Sequence, residues 1–92
     1  MKKSILLIYM GNRKDTAPKV QAILTGWGCI IKTRLGIHDG VLENCSDNGL
    51  VFCELVGDVE QHKALADRLK LVKGISVKLV ELSIEESENV SL

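Results

Sequence analysis

The sequence predicts an α+β domain: a four-stranded antiparallel sheet with two helices on one face. Three observations predict it. The runs Ser4–Met10 and Gly49–Gly57 carry apolar residues in both alternation classes, as central strands covered above and below do. Two helical stripes, Val20-Ile23-Leu24-Trp27 and Leu65-Ala66-Leu69-Val72, each follow one of those runs. Two further strand-like segments complete the order βαββαβ. Short connections and right-handed crossovers fold such a chain into the ferredoxin-like sandwich.

The elements follow in order. In Ser4–Met10, Ile5, Leu7 and Tyr9 oppose Leu6, Ile8 and Met10. Gly11-Asn12-Arg13-Lys14 breaks the strand, Asp15 or Thr16 can cap the first helix, and Pro18 suits a first turn. Gly26 and Gly28 close that helix as left-handed C-terminal glycines. From Cys29 to His38, Cys29, Ile31, Thr33, Leu35 and Ile37 form one face, while Lys32, Arg34 and His38 dominate the other, as in an edge strand. Asp39-Gly40 is a turn signal, and 43–49 is a polar loop. After the central strand, Asp58 caps the second helix with Gln61 in the capping-box position, and Lys73-Gly74 ends it. Ile75–Ile84 is the last strand. Residues 1–84 thus read as a single domain and 85–92 as a frayed acidic tail.

Composition narrows the partners. Twelve basic and twelve acidic residues cancel, and Tyr9, Trp27 and Phe52 are the aromatics. Neither a phosphate-neutralising excess nor a stacking platform is present, so direct nucleic-acid binding is not expected. No stretch is long enough to span a bilayer. The apolar N-terminal run is too short for a signal peptide and is followed by Arg13, Lys14 and Asp15. Three cysteines, Cys29, Cys45 and Cys53, lack framework spacing and fit a reducing cytoplasm. Ninety-two residues cannot cover both faces of the two central strands. A homodimer or homotetramer built on the uncovered face is the expected remedy, through about 600–800 Å² per partner.

Candidate chemistry is sparse. Gly11, Asn12 and Arg13 lie between a strand and a helix start, where backbone N–H groups can receive an anion, although an ordinary turn needs the same residues. His38, Asp39, Glu43 and Cys45 gather across the hairpin. His38 and Cys45 suit zinc, nickel or copper, and the same residues also serve a plain solvated turn. Cys29 and Cys53 read as small core residues, and Cys45 as the accessible thiol. Glu54 is expected to pair with Arg34 or Lys32, and His62 to lie on the surface of the second helix. No catalytic constellation is present, so an enzyme is not expected.

Three stretches carry a family resemblance: Arg34-Leu35-Gly36-Ile37-His38, Gly49 to Gly57, and Leu65 to Leu79, in which a helix ending Lys73-Gly74-Ile75 leads into the last strand. Together they resemble the small ACT-like iron-only hydrogenase system regulators and, more distantly, the ligand-binding domain of nickel-responsive repressors. The resemblance implies a bacterial, non-enzymatic regulator that oligomerises and binds a small ligand at the subunit interface. By position in ACT domains, that ligand would meet Gly11, Asn12 and Arg13. In the nickel repressors, two second-strand histidines and a cysteine starting the third strand hold the metal. His38 and Cys45 resemble one histidine and the cysteine, but Gly36 stands where the other histidine would be. The ligand, any cofactor and the regulated partner are left unspecified by these residues.

Overall fold

The computed structural model describes residues 1–38 and 47–85. Strand β1 (Lys2–Met10), helix α1 (Arg13–Gly26), a 3-10 turn (Gly28–Ile30), strands β2 (Ile31–His38) and β3 (Gly49–Leu55), helix α2 (Val59–Lys70) and strand β4 (Ile75–Ser83) follow in order. The strands form one antiparallel sheet in the order β2-β3-β1-β4, the ferredoxin-like arrangement. The two strands that are apolar on both sides are the central ones, as two-sided burial requires.

Register assigns every side chain to a face, because directly paired residues share one. Leu6 pairs with Cys53 and Leu79, and Ile8 with Val51 and Val77. With Val20 and Leu24 of α1 and Leu65, Ala66 and Leu69 of α2, these build the core. Ile5 pairs with Val80, Leu7 with Phe52, and Phe52 with Leu35; Ile37 pairs with Leu50. These lie on the other side of the sheet, where neither helix reaches. Leu35 is 53 % exposed and Ile37 48 %, while Ile5 at the sheet centre is 9 % exposed. The result is an apolar patch without a second layer, bordered on the same face by Glu54 beside Ile5 and by Lys78 beside Leu7. It is the feature a monomer of this size rarely leaves in water.

Five local expectations are corrected. Helix α1 starts at Arg13 with Asn12 as its cap residue, not Asp15 or Thr16, so Pro18 sits inside the helix beyond the first turn. Gly26 and Gly28 do not take the left-handed conformation; the positive-φ glycines are Gly57 (φ 88) and Gly74 (φ 86). Asp58 occupies the cap position of α2 without a side-chain capping bond. A register shift between Ile31 and Thr33 divides the expected β2 stripe. Ile31 therefore packs against the helix-side core, and Thr33, Leu35 and Ile37 fall on the open face. Cys29, expected in the core, lies on the 3-10 turn and is exposed. Among the described residues no helix is long and apolar enough to cross a membrane.

Candidate functional site

The link from β1 to α1 is held by backbone bonds. Gly11 N–H donates to Gly74 O at 2.9 Å, and Arg13 N–H donates to Asp47 O at 2.6 Å. Asn12 is left-handed (φ 49, ψ 57), a conformation that asparagine tolerates better than most residues. Its Nδ2 donates to Asp15 Oδ2 at 2.7 Å, and its carbonyl accepts from Asp15 N, Thr16 N and Thr16 Oγ1. The amides of Gly11 and Arg13 are thus already given to protein carbonyls. Of this loop, it is Arg13 that reaches a cavity.

Arg13 lines this cavity, of about 250 Å³, with Met10, Ala17, Gln21, Ile37 and Leu50. Gly49 gives Arg13 room there: a Cβ on Gly49 would stand 3.2 Å from Arg13 Cδ and 3.3 Å from Met10 Cε, and these side chains would have to give by a few tenths of an ångström. Gly36 also lines the cavity, and a Cβ built on it meets nothing within 4 Å. Apolar walls with one guanidinium suit a small molecule carrying an anionic group.

The other expected metal ligands are only partly placed. His38 ends β2 opposite Gly49, and Cys45, Asp39 and Glu43 lie outside the described residues. Among the described residues no group of three or more His, Cys, Asp or Glu side chains could hold a metal ion. Cys53 is buried, and burial pushes its thiol above the ordinary value, with Arg34 across the ladder opposing that in part. Arg34 therefore lies on the helix side of the sheet. Glu54 pairs instead with Lys3 at 3.3 Å and Lys32 at 3.7 Å on the open side.

His62 differs most from expectation. It is 3 % exposed and packed in the interior rather than on the surface. The signal was in the sequence: His62, Leu65, Ala66 and Leu69 stand at i, i+3, i+4 and i+7, so the histidine continues the apolar stripe.

No protein-family model matches the chain, and no curated protein does. Solved structures do. The chain is similar to the uncharacterized protein TM1266 from Thermotoga maritima, at 27% identity and a TM-score of 0.74, over 90% of this chain and 100% of that one. It shares its fold with the C-terminal domain of the MgtC protein from Mycobacterium tuberculosis, at 13% identity and a TM-score of 0.65, covering 89% of this chain and 88% of that one. It also shares it with CPII from Thiomonas intermedia K12, a nitrogen regulatory PII-like protein whose structure holds ADP, AMP and bicarbonate. That match has 8% identity and a TM-score of 0.60 and covers 94% of this chain and 96% of that one. The architecture is thus the ferredoxin-like fold that PII-like and ACT-like domains use.

Proposed function

We propose that this protein is a non-enzymatic regulatory module that homo-oligomerises through its uncovered sheet face and binds a small ligand beside the Gly11-Asn12-Arg13 loop, in the cavity that Arg13 lines. One observation carries the reading. Ile37 and Leu50 belong both to the open apolar face and to the wall of the Arg13 cavity. A ligand in the cavity and a partner copy on the face would therefore both touch these two residues, one from each side of the sheet. A ligand that prefers one assembly state then shifts the population between states. The fold shared with CPII, a nitrogen regulatory protein bound to ADP, AMP and bicarbonate, supports a regulatory role. The family resemblance of the segments around Arg34–His38 and Leu65–Leu79 suggests that the regulated system is a metalloenzyme of the iron-only hydrogenase type. The assembly is a dimer or tetramer in the cytoplasm, making no direct contact with nucleic acid or membrane.

Titration calorimetry with ADP, AMP and bicarbonate tests the ligand site. Saturable binding in the wild type that is lost in Arg13→Ala supports it, and equal binding in the variant refutes it. A second reading, metal binding by His38 and Cys45, is favoured by His38 ending β2 seven residues before Cys45 in the sequence. Metal retained on purification and lost in His38→Ala would establish it.

A further inference from the structure

The helix layer carries a groove of its own. It has a volume of about 420 Å³, lies between α1 and α2, and takes none of its lining from the sheet. Both sides contribute the same pattern. Lys19, Ala22 and Ile23 stand at i, i+3 and i+4 in α1; Arg68, Leu71 and Val72 stand at i, i+3 and i+4 at the end of α2, with Lys73 just beyond. Residues so spaced share one helix face, so each side presents a cation followed one turn later by two apolar side chains.

The charge of this groove contrasts with the chain as a whole, in which twelve basic and twelve acidic residues cancel. Lys19, Arg68 and Lys73 line it, and no acidic residue does. Among the described residues none of these cations makes an ion pair, unlike Lys2, Lys3 and Lys32, which are paired on the sheet. The dipole of α2 accounts for Arg68 in its last turn. It does not account for Lys19, in the middle of α1. Between these cations in the lining sits Leu71, a large apolar residue left 76 % exposed.

These features define an occupant. Cations gathered without counter-charges are relieved by carboxylates brought from outside. An isolated anion would leave the apolar half of the lining bare, and a flat lipid surface would not enter the space between two helices. A peptide segment that combines carboxylates with apolar side chains satisfies both halves.

We infer that the α1–α2 groove docks an acidic, leucine-containing segment of a second protein. Its carboxylates meet Lys19, Arg68 and Lys73, and its apolar side chains lie on Ile23, Leu71 and Val72. The groove stays open when copies of the chain join through the sheet face. That the docked protein is the regulated partner rests on the regulatory reading above; the contact itself does not.

Fluorescence anisotropy with a labelled peptide of repeating Glu-Glu-Leu tests the contact, beside the same peptide with glutamine for glutamate. Co-sedimentation with phosphatidylglycerol vesicles tests a lipid surface instead. Saturable binding of the acidic peptide is expected, weakening as salt rises. Lys19→Glu should weaken it about tenfold, because an attractive exposed pair becomes a repulsive one, and Leu71→Ser by a similar factor through lost apolar contact. Lys63→Glu makes the same change in net charge on α2 outside the groove and should bind as the wild type does. Circular dichroism checks that each variant is folded, as expected for exposed positions. Arg13→Ala should also bind the peptide normally, so failure of the small-ligand site leaves this contact standing. The inference is overturned if the acidic peptide does not bind at millimolar concentration, or if the glutamine peptide or the vesicles bind as tightly. It is equally overturned if Lys19→Glu loses no more affinity than Lys63→Glu.

Discussion

Replacing Leu35 with serine removes apolar surface from the open face without touching the core between sheet and helices. Leu35 pairs with Phe52 on the edge strand and is 53 % exposed in the single chain. Fully burying a leucine is worth roughly 1.5–3 kcal/mol, so about half of that, ~1.2 kcal/mol, remains to be gained when a partner covers it. A two-fold interface contains the residue twice, so the variant loses ~2.4 kcal/mol, or about 50-fold in dissociation constant. Sedimentation equilibrium over a dilution series reads that change. A thermal melt at the lowest concentration shows whether the protomer itself stays folded, as expected for an exposed edge position. A folded variant that associates within threefold of the wild type would refute the assignment of this face to the interface.

Four further outcomes follow from the same geometry. Leu65→Ala, at a fully buried position, should cost about 2–5 kcal/mol in chemical denaturation, because α2 cannot collapse into the space. Gly74→Ala forces a side chain onto φ 86, with Thr16 Cγ2 only 3.3 Å from the new Cβ, and should lower stability by about 1–2 kcal/mol in the same assay. In a Cys45→Ser background, a thiol reagent should label Cys29 in the folded protein and leave Cys53 unlabelled until unfolding. The buried Cys53 thiol has a raised pKa, so above the ordinary value of 9.0 the unfolded chain loses this proton while the folded chain keeps it. Its contribution is therefore full below that value, and stability falls as pH rises past it, a trend that Cys53→Ala should flatten in denaturation curves taken across this range.

The sheet was legible because two-sided apolar strands leave few alternatives. Once Ser4–Met10 and Gly49–Gly57 are central, the remaining strands must be edges, and the observed β2-β3-β1-β4 order follows. Local geometry was harder to read. The shift at Ile31 and Thr33 is a backbone irregularity that an alternating pattern cannot display, and it moved Ile31 to the opposite face from Leu35. Asn12 as a left-handed cap residue was hidden because Asp15 and Thr16 are equally good cap types. At the candidate sites, the strand–helix loop was visible as punctuation, but the commitment of its Gly11 and Arg13 amides to Gly74 and Asp47 depends on long-range packing. His62 was misread because its residue type was given more weight than its spacing. The i, i+3, i+4, i+7 pattern placed it inside, and the structure adds the orphaned Nδ1.

Native mass spectrometry of protein purified without chelator or added metal tests the regulatory account most directly, because it reads assembly and retained ligand together. The account predicts a dimer or tetramer of the 10.1 kDa chain carrying additional non-protein mass. A bare monomer at micromolar concentration would contradict it, leaving the open sheet face without the partner copy on which the account depends.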